Sequence, residues 1–177
     1  SGLILASDGM KMSKRLNNYT PPEEILKQYG ADVLRLYLLS SPATQAQEFR
    51  FVDKELFVIT KKLLPYFHSH KMFGECIQNI KLKHNSDFLN NLSKNDYESD
   101  DLLDSWILSL TNKMQFDINK FISKLELYKI PDCIFKFIDN LTNTWVKFSR
   151  ERLKDCYTSK DTINSVNTLF KVLIKTN

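Results

Sequence analysis

Two lysines three residues apart, Lys11 and Lys14, carry the clearest chemical signal in this 177-residue chain. A pair of ammonium groups accelerates ATP chemistry when it stabilises the pyrophosphate leaving group more strongly in the transition state than in the ground state. Gly9 allows the chain to bend before the pair, and Ser13 between the lysines offers a hydroxyl and a backbone N–H. The spacing predicts a mobile loop that closes over phosphates, whereas a solvated basic turn is the ordinary interpretation of a bare Lys-x-x-Lys.

The residues around the lysines favour the loop. Residues 7–15, Ser-Asp-Gly-Met-Lys-Met-Ser-Lys-Arg, resemble the Lys-Met-Ser-Lys-Ser loop of class I aminoacyl-tRNA synthetases. Residues 17–22 and 29–42 are similar to the segment that follows this loop in isoleucyl enzymes of the eukaryotic cytosolic type, and Arg15 in place of Ser agrees with them.

This resemblance implies an ATP-dependent ligase that joins isoleucine to its tRNA through an aminoacyl-adenylate. It implies Lys11 and Lys14 as catalytic residues within an ATP-binding set of Lys11, Met12, Ser13, Lys14 and Arg15. ATP with Mg²⁺, isoleucine and isoleucine tRNA are the expected ligands of the full-length enzyme, with no DNA or membrane partner. No part of the 177 residues resembles the upstream catalytic half of such enzymes, so we expect a C-terminal fragment that is inactive alone.

Composition agrees with a cytoplasmic globular protein. The chain is 42% hydrophobic and 26% charged, with a formal net charge of +4, and it has neither a bilayer-length apolar run nor a signal pattern. Cys76, Cys133 and Cys156 fit reduced thiols better than a disulfide framework. His68 and His70 point to different sides of a helix, so they form no plausible site with Cys76, and no zinc is predicted.

Helices are predicted around and after the loop. Residues 3–5 form a short strand, a helix begins near Thr20 and ends at Gly30, and residues 31–40 form a second helix. A long helix over residues 53–83 follows, which Pro65 is expected to kink or divide. In the second helix, Arg35 is predicted to pair with Asp32, and contact with tRNA is the alternative.

Three amphipathic helices complete the chain, and Asp104 is a candidate cap for the first. Apolar residues at helical spacing predict their buried sides: Ile107, Leu110, Met114, Ile118, Phe121, Ile122 and Leu125; Ile134, Ile138, Leu141, Trp145 and Phe148; Ile163, Val166, Leu169, Phe170 and Leu173. Core packing of Trp145 and Phe148 is preferred over base stacking. The fold class is therefore mainly α, with a helical junction followed by part of an antiparallel bundle.

The resemblance implies a domain organisation. Residues 1–19 would end the catalytic domain with the signature loop, residues 20–84 would form the helical junction, and residues 85–101 would be a linker. Residues 102–177 would then be an incomplete anticodon-binding bundle.

A basic stripe on the Pro131 helix is the candidate tRNA contact. Asn143, Lys147, Arg150 and Lys154 recur at helical spacing and can follow a phosphate backbone. The alternative is a solvated face in which Glu151 and Asp155 form local ion pairs. The acidic residues, in contrast, cluster at Asp96, Glu98, Asp100, Asp101 and Asp104, so the charges are segregated.

Two other identities stay open. A valyl or leucyl enzyme would share the loop and the bundle. A non-catalytic helical RNA-binding or scaffold protein could have kept synthetase features without the activity.

Overall fold

Helices make up most of the computed structural model, which describes residues 2–83, 99–154 and 160–176. The two short strands β1 (Ile4–Leu5) and β2 (Phe49–Arg50) pair in parallel. The α-helices are α1 (Pro22–Tyr29), α2 (Ala31–Ser40), α3 (Asp53–Lys83), α4 (Leu102–Ser123), α5 (Ile130–Asp139), α6 (Arg150–Lys154) and α7 (Lys160–Thr176). The predicted mainly α class is confirmed. No helix in the described ranges is long and apolar enough to cross a membrane.

Two compact units make up the chain. Unit 1 contains Ser1–Leu64 and Asp117–Phe135, and unit 2 contains Pro65–Phe116 and Lys136–Asn177. The three divisions fall inside α3, α4 and α5. Most of the predicted linker, residues 85–98, lies outside the described residues, so the predicted domain limits stay predictions.

In unit 1, the phenol of Tyr37 ties α2 to the segment that leads into α3. Its hydroxyl donates to the Glu55 carboxylate at 2.6 Å and accepts from the Val52 amide at 3.0 Å. Its ring meets Phe49 and Phe51 edge-on, with centroids 5.3 and 5.2 Å away. Burial and the Glu55 hydrogen bond raise the pKa of Tyr37. These contacts hold β2, and hence its partner β1, against the helices.

Several predicted features of unit 1 are confirmed. Gly30 separates α1 from α2 with a φ of 83°. Arg35 pairs with Asp32 at 3.4 Å, but both side chains are largely exposed, so the pair adds little stability. α3 begins and ends as predicted, and it continues through Pro65 as one helix. Of the kink or division expected at Pro65, the division is therefore excluded.

In unit 2, α7 runs antiparallel to the second half of α3. The hydroxyls of Tyr66 and Thr176 lie 2.7 Å apart. Phe73, further along α3, stacks on Phe170, which comes earlier in α7, so the two helices run in opposite directions. The end of α7 also reaches α4, where the Lys175 ammonium donates to the side-chain oxygen of Asn112 at 2.7 Å. Two neighbouring elements therefore fix the direction of α7.

Asp104 in α4 is fully buried and joins three elements of unit 2. Its carboxylate accepts from the Trp145 indole N–H at 2.9 Å and from both terminal nitrogens of Arg152, at 3.2 and 2.8 Å. Arg152 also contacts Asp101, just before α4, at 3.3 Å, and Asp161 in α7 at 2.8 Å. Burial alone would lower the pKa of Arg152, but the carboxylates raise it, so the guanidinium stays charged.

The expected capping role of Asp104 was wrong. The cap is Asp101, whose carboxylate accepts from the amides of Leu103 and Asp104 at 2.7 and 3.2 Å. Sequence pattern alone does not distinguish these two aspartates, because either one could begin the helix.

A π-helix, Asn140–Val146, follows α5 and changes which residues face the core. Four residues of α-helix overshoot one full turn by about 40°. The wider π turn removes this overshoot, so the buried positions recur at every fourth residue: Leu141, Trp145, Ser149 and Leu153. Phe148 is instead 63% exposed, and its predicted place in the core was wrong.

The predicted apolar stripes are confirmed at their centres and wrong at some ends. Ile107, Met114, Val166, Leu169 and Leu173 are buried, whereas Ile122, Leu125 and Ile163 are exposed.

We expect Arg152→Ala to destabilise the chain by about 3 kcal/mol, because it leaves the buried carboxylate of Asp104 without its counter-ion. Arg150→Ala is the matched control. Arg150 is exposed two residues away, and its loss should change the free energy of unfolding by less than about 0.5 kcal/mol. Urea unfolding of both variants measures the difference, and equal losses would contradict the assigned role of Arg152.

Candidate functional site

A tight hairpin carries the predicted phosphate loop out of β1. The amide of Gly9 donates to the carbonyl of Ala6 at 2.9 Å, and Lys11 returns opposite Leu5 in an antiparallel bridge. Gly9 has a φ of 82°, and the guanidinium of Arg50 lies 3.2 Å from where a side chain at Gly9 would begin. The positive φ favours glycine at this turn, and a side chain there would also require Arg50 to shift by a few tenths of an ångström.

The side-chain amide of Asn18 closes the loop. Its oxygen accepts from the Ser13 amide at 2.9 Å, and its nitrogen donates to the Lys11 carbonyl at 3.2 Å. One side chain therefore fixes the backbone on both sides of Met12. Asn17 before it has a φ of 47°, a left-handed conformation that asparagine tolerates better than most residues.

The loop presents its cationic side chains to solvent. Lys11, Lys14 and Arg15 are exposed, while Met12 and Ser13 are half-buried. The predicted ATP-binding residues thus lie in one short loop that Asn18 holds at Lys11 and Ser13. The two ammonium groups end long, flexible side chains, so they can approach a polyphosphate from solution.

A cleft of about 830 Å³ opens beside the loop. Met12, Asn18 and Thr20 line it on one side, and Asp53 and Lys54 at the start of α3 line it on the other. The Thr20 hydroxyl donates to the Asp53 carboxylate and joins the two sides. The cleft therefore has a fixed polar wall next to the cationic loop.

The predicted basic stripe lies in unit 2 and is exposed where its side chains are described. Asn143, Lys147 and Arg150 all face solvent, and the Asn143 amide donates to the carboxylate of Asp139 one turn earlier. The side chain of Lys154 lies outside the described residues, as does Asp155. Glu151 is exposed beside Arg150 and lowers the local positive charge.

Arg152 belongs to a different environment from its basic neighbours. It lies in the ion network of Asp104 rather than on the solvent face. Within the same basic segment, the structure therefore separates a structural cation from cations that are free to meet a ligand.

Two features did not follow from the sequence: the hydrogen bonds of Asn18 and the exposure of Phe148. An asparagine pair after a glycine-containing loop is a usable signal for Asn18, because asparagine side chains often bond to nearby backbone. The exposure of Phe148 has no such signal, since it depends on a π-helix.

Metal ligands are not gathered in the described ranges. No group of three or more His, Cys, Asp or Glu side chains there is placed to hold a metal ion.

Comparison with known proteins gives consistent matches. Residues 1–50 match the family described as tRNA synthetases class I (I, L, M and V). The chain is 39% identical over 175 residues to the cytoplasmic isoleucine–tRNA ligase of Saccharomyces cerevisiae, and 38% identical over 178 residues to that of Mus musculus. Each match covers 98% of this chain but only 16% and 14% of the relatives. The chain thus spans about a sixth of their length.

The fold is also found in a solved structure. A LeuRS from Agrobacterium radiobacter K84, in a ternary complex with tRNA and LeuAMS, superimposes with a TM-score of 0.62. The match covers 98% of this chain and 20% of that one, at 15% sequence identity. At this identity it supports the fold alone.

We expect Asn18→Ala to loosen the loop, because it removes both hydrogen bonds that close it. Each bond contributes about 1 kcal/mol, so trypsin cleavage after Lys11, Lys14 and Arg15 should become at least about fivefold faster. Asn17→Gly is the control, since glycine suits the left-handed backbone there and should leave cleavage nearly unchanged. Equal rates in Asn18→Ala and the unchanged chain would contradict the closing role of Asn18.

Proposed function

We propose that this chain, which belongs to the isoleucine–tRNA ligase family of class I tRNA synthetases, supplies such a ligase with a phosphate loop and a tRNA-binding helix face. The observation that carries the proposal is the loop closed by Asn18, which presents Lys11 and Lys14 to solvent. The complete ligase would activate isoleucine with ATP and transfer it to isoleucine tRNA.

Lys14 and Lys11 are the proposed catalytic residues. Their ammonium groups would move onto the phosphates as the adenylate forms and stabilise the charge of departing pyrophosphate. Met12, Ser13 and Arg15 complete the proposed ATP-binding loop, with Ser13 as a hydroxyl or backbone donor. Mg²⁺ would accompany ATP, and we assign it no ligand in this chain.

The proposed tRNA-binding residues are Asn143, Lys147, Arg150 and Lys154. The exposure of the first three supports this role, because cations on a solvent-facing helix side can displace the counterions of a phosphate backbone. We propose the domain limits of residues 1–19, 20–84, 85–101 and 102–177 on the family resemblance. The names of the relatives support isoleucine over valine or leucine, and a cytoplasmic location.

In the complete ligase, Lys14→Ala should lower the kcat of isoleucine-dependent ATP–pyrophosphate exchange by about 100-fold, with a smaller loss for Lys11→Ala. Lys27→Ala, an exposed basic residue on α1, is the control and should leave kcat unchanged. This chain by itself should show no exchange above buffer. Unchanged kcat in Lys14→Ala would contradict the catalytic role of Lys14, whereas no measurable exchange by the unchanged complete protein would favour the non-catalytic alternative.

Changing Lys147, Arg150 and Lys154 together to Glu should weaken isoleucine tRNA binding and make it less dependent on salt, because each lost phosphate contact reduces the salt slope by about one. Lys113, Lys120 and Lys124 on and just after α4, changed to Glu, give the same change in net charge elsewhere. Dissociation constants measured across a salt series distinguish the two triple variants. Equal weakening by both triple variants would mean that net charge, rather than this face, controls binding.

A further inference from the structure

Arg50, at the end of β2, places a further cation beside the hairpin that carries Lys11, Lys14 and Arg15. Its side chain is exposed, and its guanidinium carbon and two of its nitrogens each lie 3.2 Å from where a side chain at Gly9 would begin. Equal distances to the central carbon and two nitrogens put that point over the flat face of the guanidinium. The N–H groups lie in the plane of the group, so they point past the turn and not into it.

The charge of Arg50 has no counter-ion in the described ranges. Glu48 lies two residues earlier in the chain and Asp8 lies in the turn, but neither forms an ion pair with Arg50. The Asp8 carboxylate accepts from the Met10 amide at 2.8 Å instead. Like charges gathered without a counter-ion repel each other, so a bound anion would relieve this repulsion.

Strand register puts Arg50 and Lys11 on one face of the same small sheet. Leu5 pairs with Arg50 in the parallel ladder and with Lys11 in the antiparallel bridge. Side chains directly opposite each other on neighbouring strands leave the same face of a sheet. Two strand spacings of about 4.8 Å therefore separate the two backbone positions. Long side chains across such a gap can converge on one polyphosphate.

A terminal phosphate of ATP suits this arrangement better than a phosphate of the tRNA backbone. The guanidinium fork binds two oxygens of one phosphate at once, and a terminal phosphate offers three oxygens and nearly two negative charges. A backbone phosphate carries one negative charge. Lys11, on the same face, is already the proposed partner of the ATP phosphates.

We propose that Arg50 is a further ATP-binding residue of the ligase, and that its guanidinium holds the terminal phosphate while Lys11 contacts the same triphosphate chain. This inference rests on the proposed function, since it adds a residue to the same site. When the isoleucine carboxylate attacks the α-phosphorus and the bond to the β-phosphate oxygen breaks, Arg50 would keep hold of the departing pyrophosphate.

The position of Arg50 determines which kinetic constant it affects. Arg50 lies on β2, which Tyr37 holds against the helices, and not on the loop with the lysines. It would therefore bind the terminal phosphate equally before and during the reaction. Uniform binding of this kind lowers KM and leaves kcat unchanged, whereas Lys14 is expected to act on kcat.

The test is isoleucine-dependent ATP–pyrophosphate exchange by the complete ligase without tRNA. Arg50→Met keeps an unbranched side chain over Gly9 but removes the charge, so KM for ATP and for pyrophosphate should each rise about tenfold. kcat and KM for isoleucine should stay within about twofold. Arg50→Lys keeps the charge without the fork and should recover part of the loss. Arg35→Met is the matched control, because Arg35 is an exposed arginine of the same unit that already pairs with Asp32.

Any of three results would overturn the proposal. Unchanged KM for ATP in Arg50→Met would show that the guanidinium contacts no phosphate of ATP. Equal rises in KM for ATP and for isoleucine would show that Arg50 only supports the turn. A higher KM for tRNA in aminoacylation, with unchanged exchange, would assign Arg50 to a tRNA phosphate.

Lys14→Ala distinguishes these failures from failure of the proposed function. If Lys14→Ala lowers the kcat of exchange while Arg50→Met has no effect, only the role of Arg50 is rejected. If neither change affects exchange, the phosphate loop itself is rejected. Thermal unfolding of each variant checks that the fold is retained, and Arg50→Gln replaces Arg50→Met if it is not.

Discussion

A single buried carboxylate determines how the helices of unit 2 meet. Asp104 has no exposed surface, and its oxygens are bound by the Trp145 indole and the Arg152 guanidinium. A charge in this position is tolerable only while its partners stay in place, so the elements that supply them cannot shift independently. The start of α4, the π-helix and α6 are therefore held in one arrangement. The exposed side chains of the π-helix and α6 are held in position by the same contacts.

The loop is held by a different means. Its geometry depends on short-range hydrogen bonds from Asn18 and on a glycine turn, with exposed lysines and little buried surface. Interactions of this kind are individually modest, so the loop can open and close at low cost. This suits a group that must approach phosphates and then release them. The two candidate sites therefore differ in rigidity as well as in chemistry.

Local signals predicted much of the structure. The break at Gly30 and the limits of α3 followed from turn chemistry and apolar spacing, and the centres of the stripes around Met114 and Leu169 are buried as expected. The cap of α4 and the exposure of Phe148 did not follow. Two aspartates can each begin a helix, and only tertiary contacts select Asp101 for the cap and Asp104 for burial. The Phe148 prediction failed because it assumed one helical period throughout, whereas the π-helix changes the period over seven residues.

In the candidate site, residue types were easier to identify from the sequence than the contacts that support them. The lysines and the basic stripe were visible as residue types at given spacings, and Lys11, Lys14, Lys147 and Arg150 are exposed as those patterns predicted. The supporting groups were harder to find, because Asn18 and Arg152 act through partners that the sequence does not identify. Arg152 in particular differs from Arg150 only in the direction that it faces.

The π-helix also changes which mutations would matter in this segment. A π turn is equivalent to an α-helix with one residue inserted. The helix register after it therefore depends on the number of residues in the segment, and not on the identity of any one side chain. Substitutions between Asn140 and Val146 would preserve the outward position of Phe148 as long as the turn persists. Deletion of one residue there would turn the aromatic ring inward and the hydroxyl of Ser149 outward. Chain length in this segment is therefore under a constraint of its own, and gaps in related sequences are expected to avoid it.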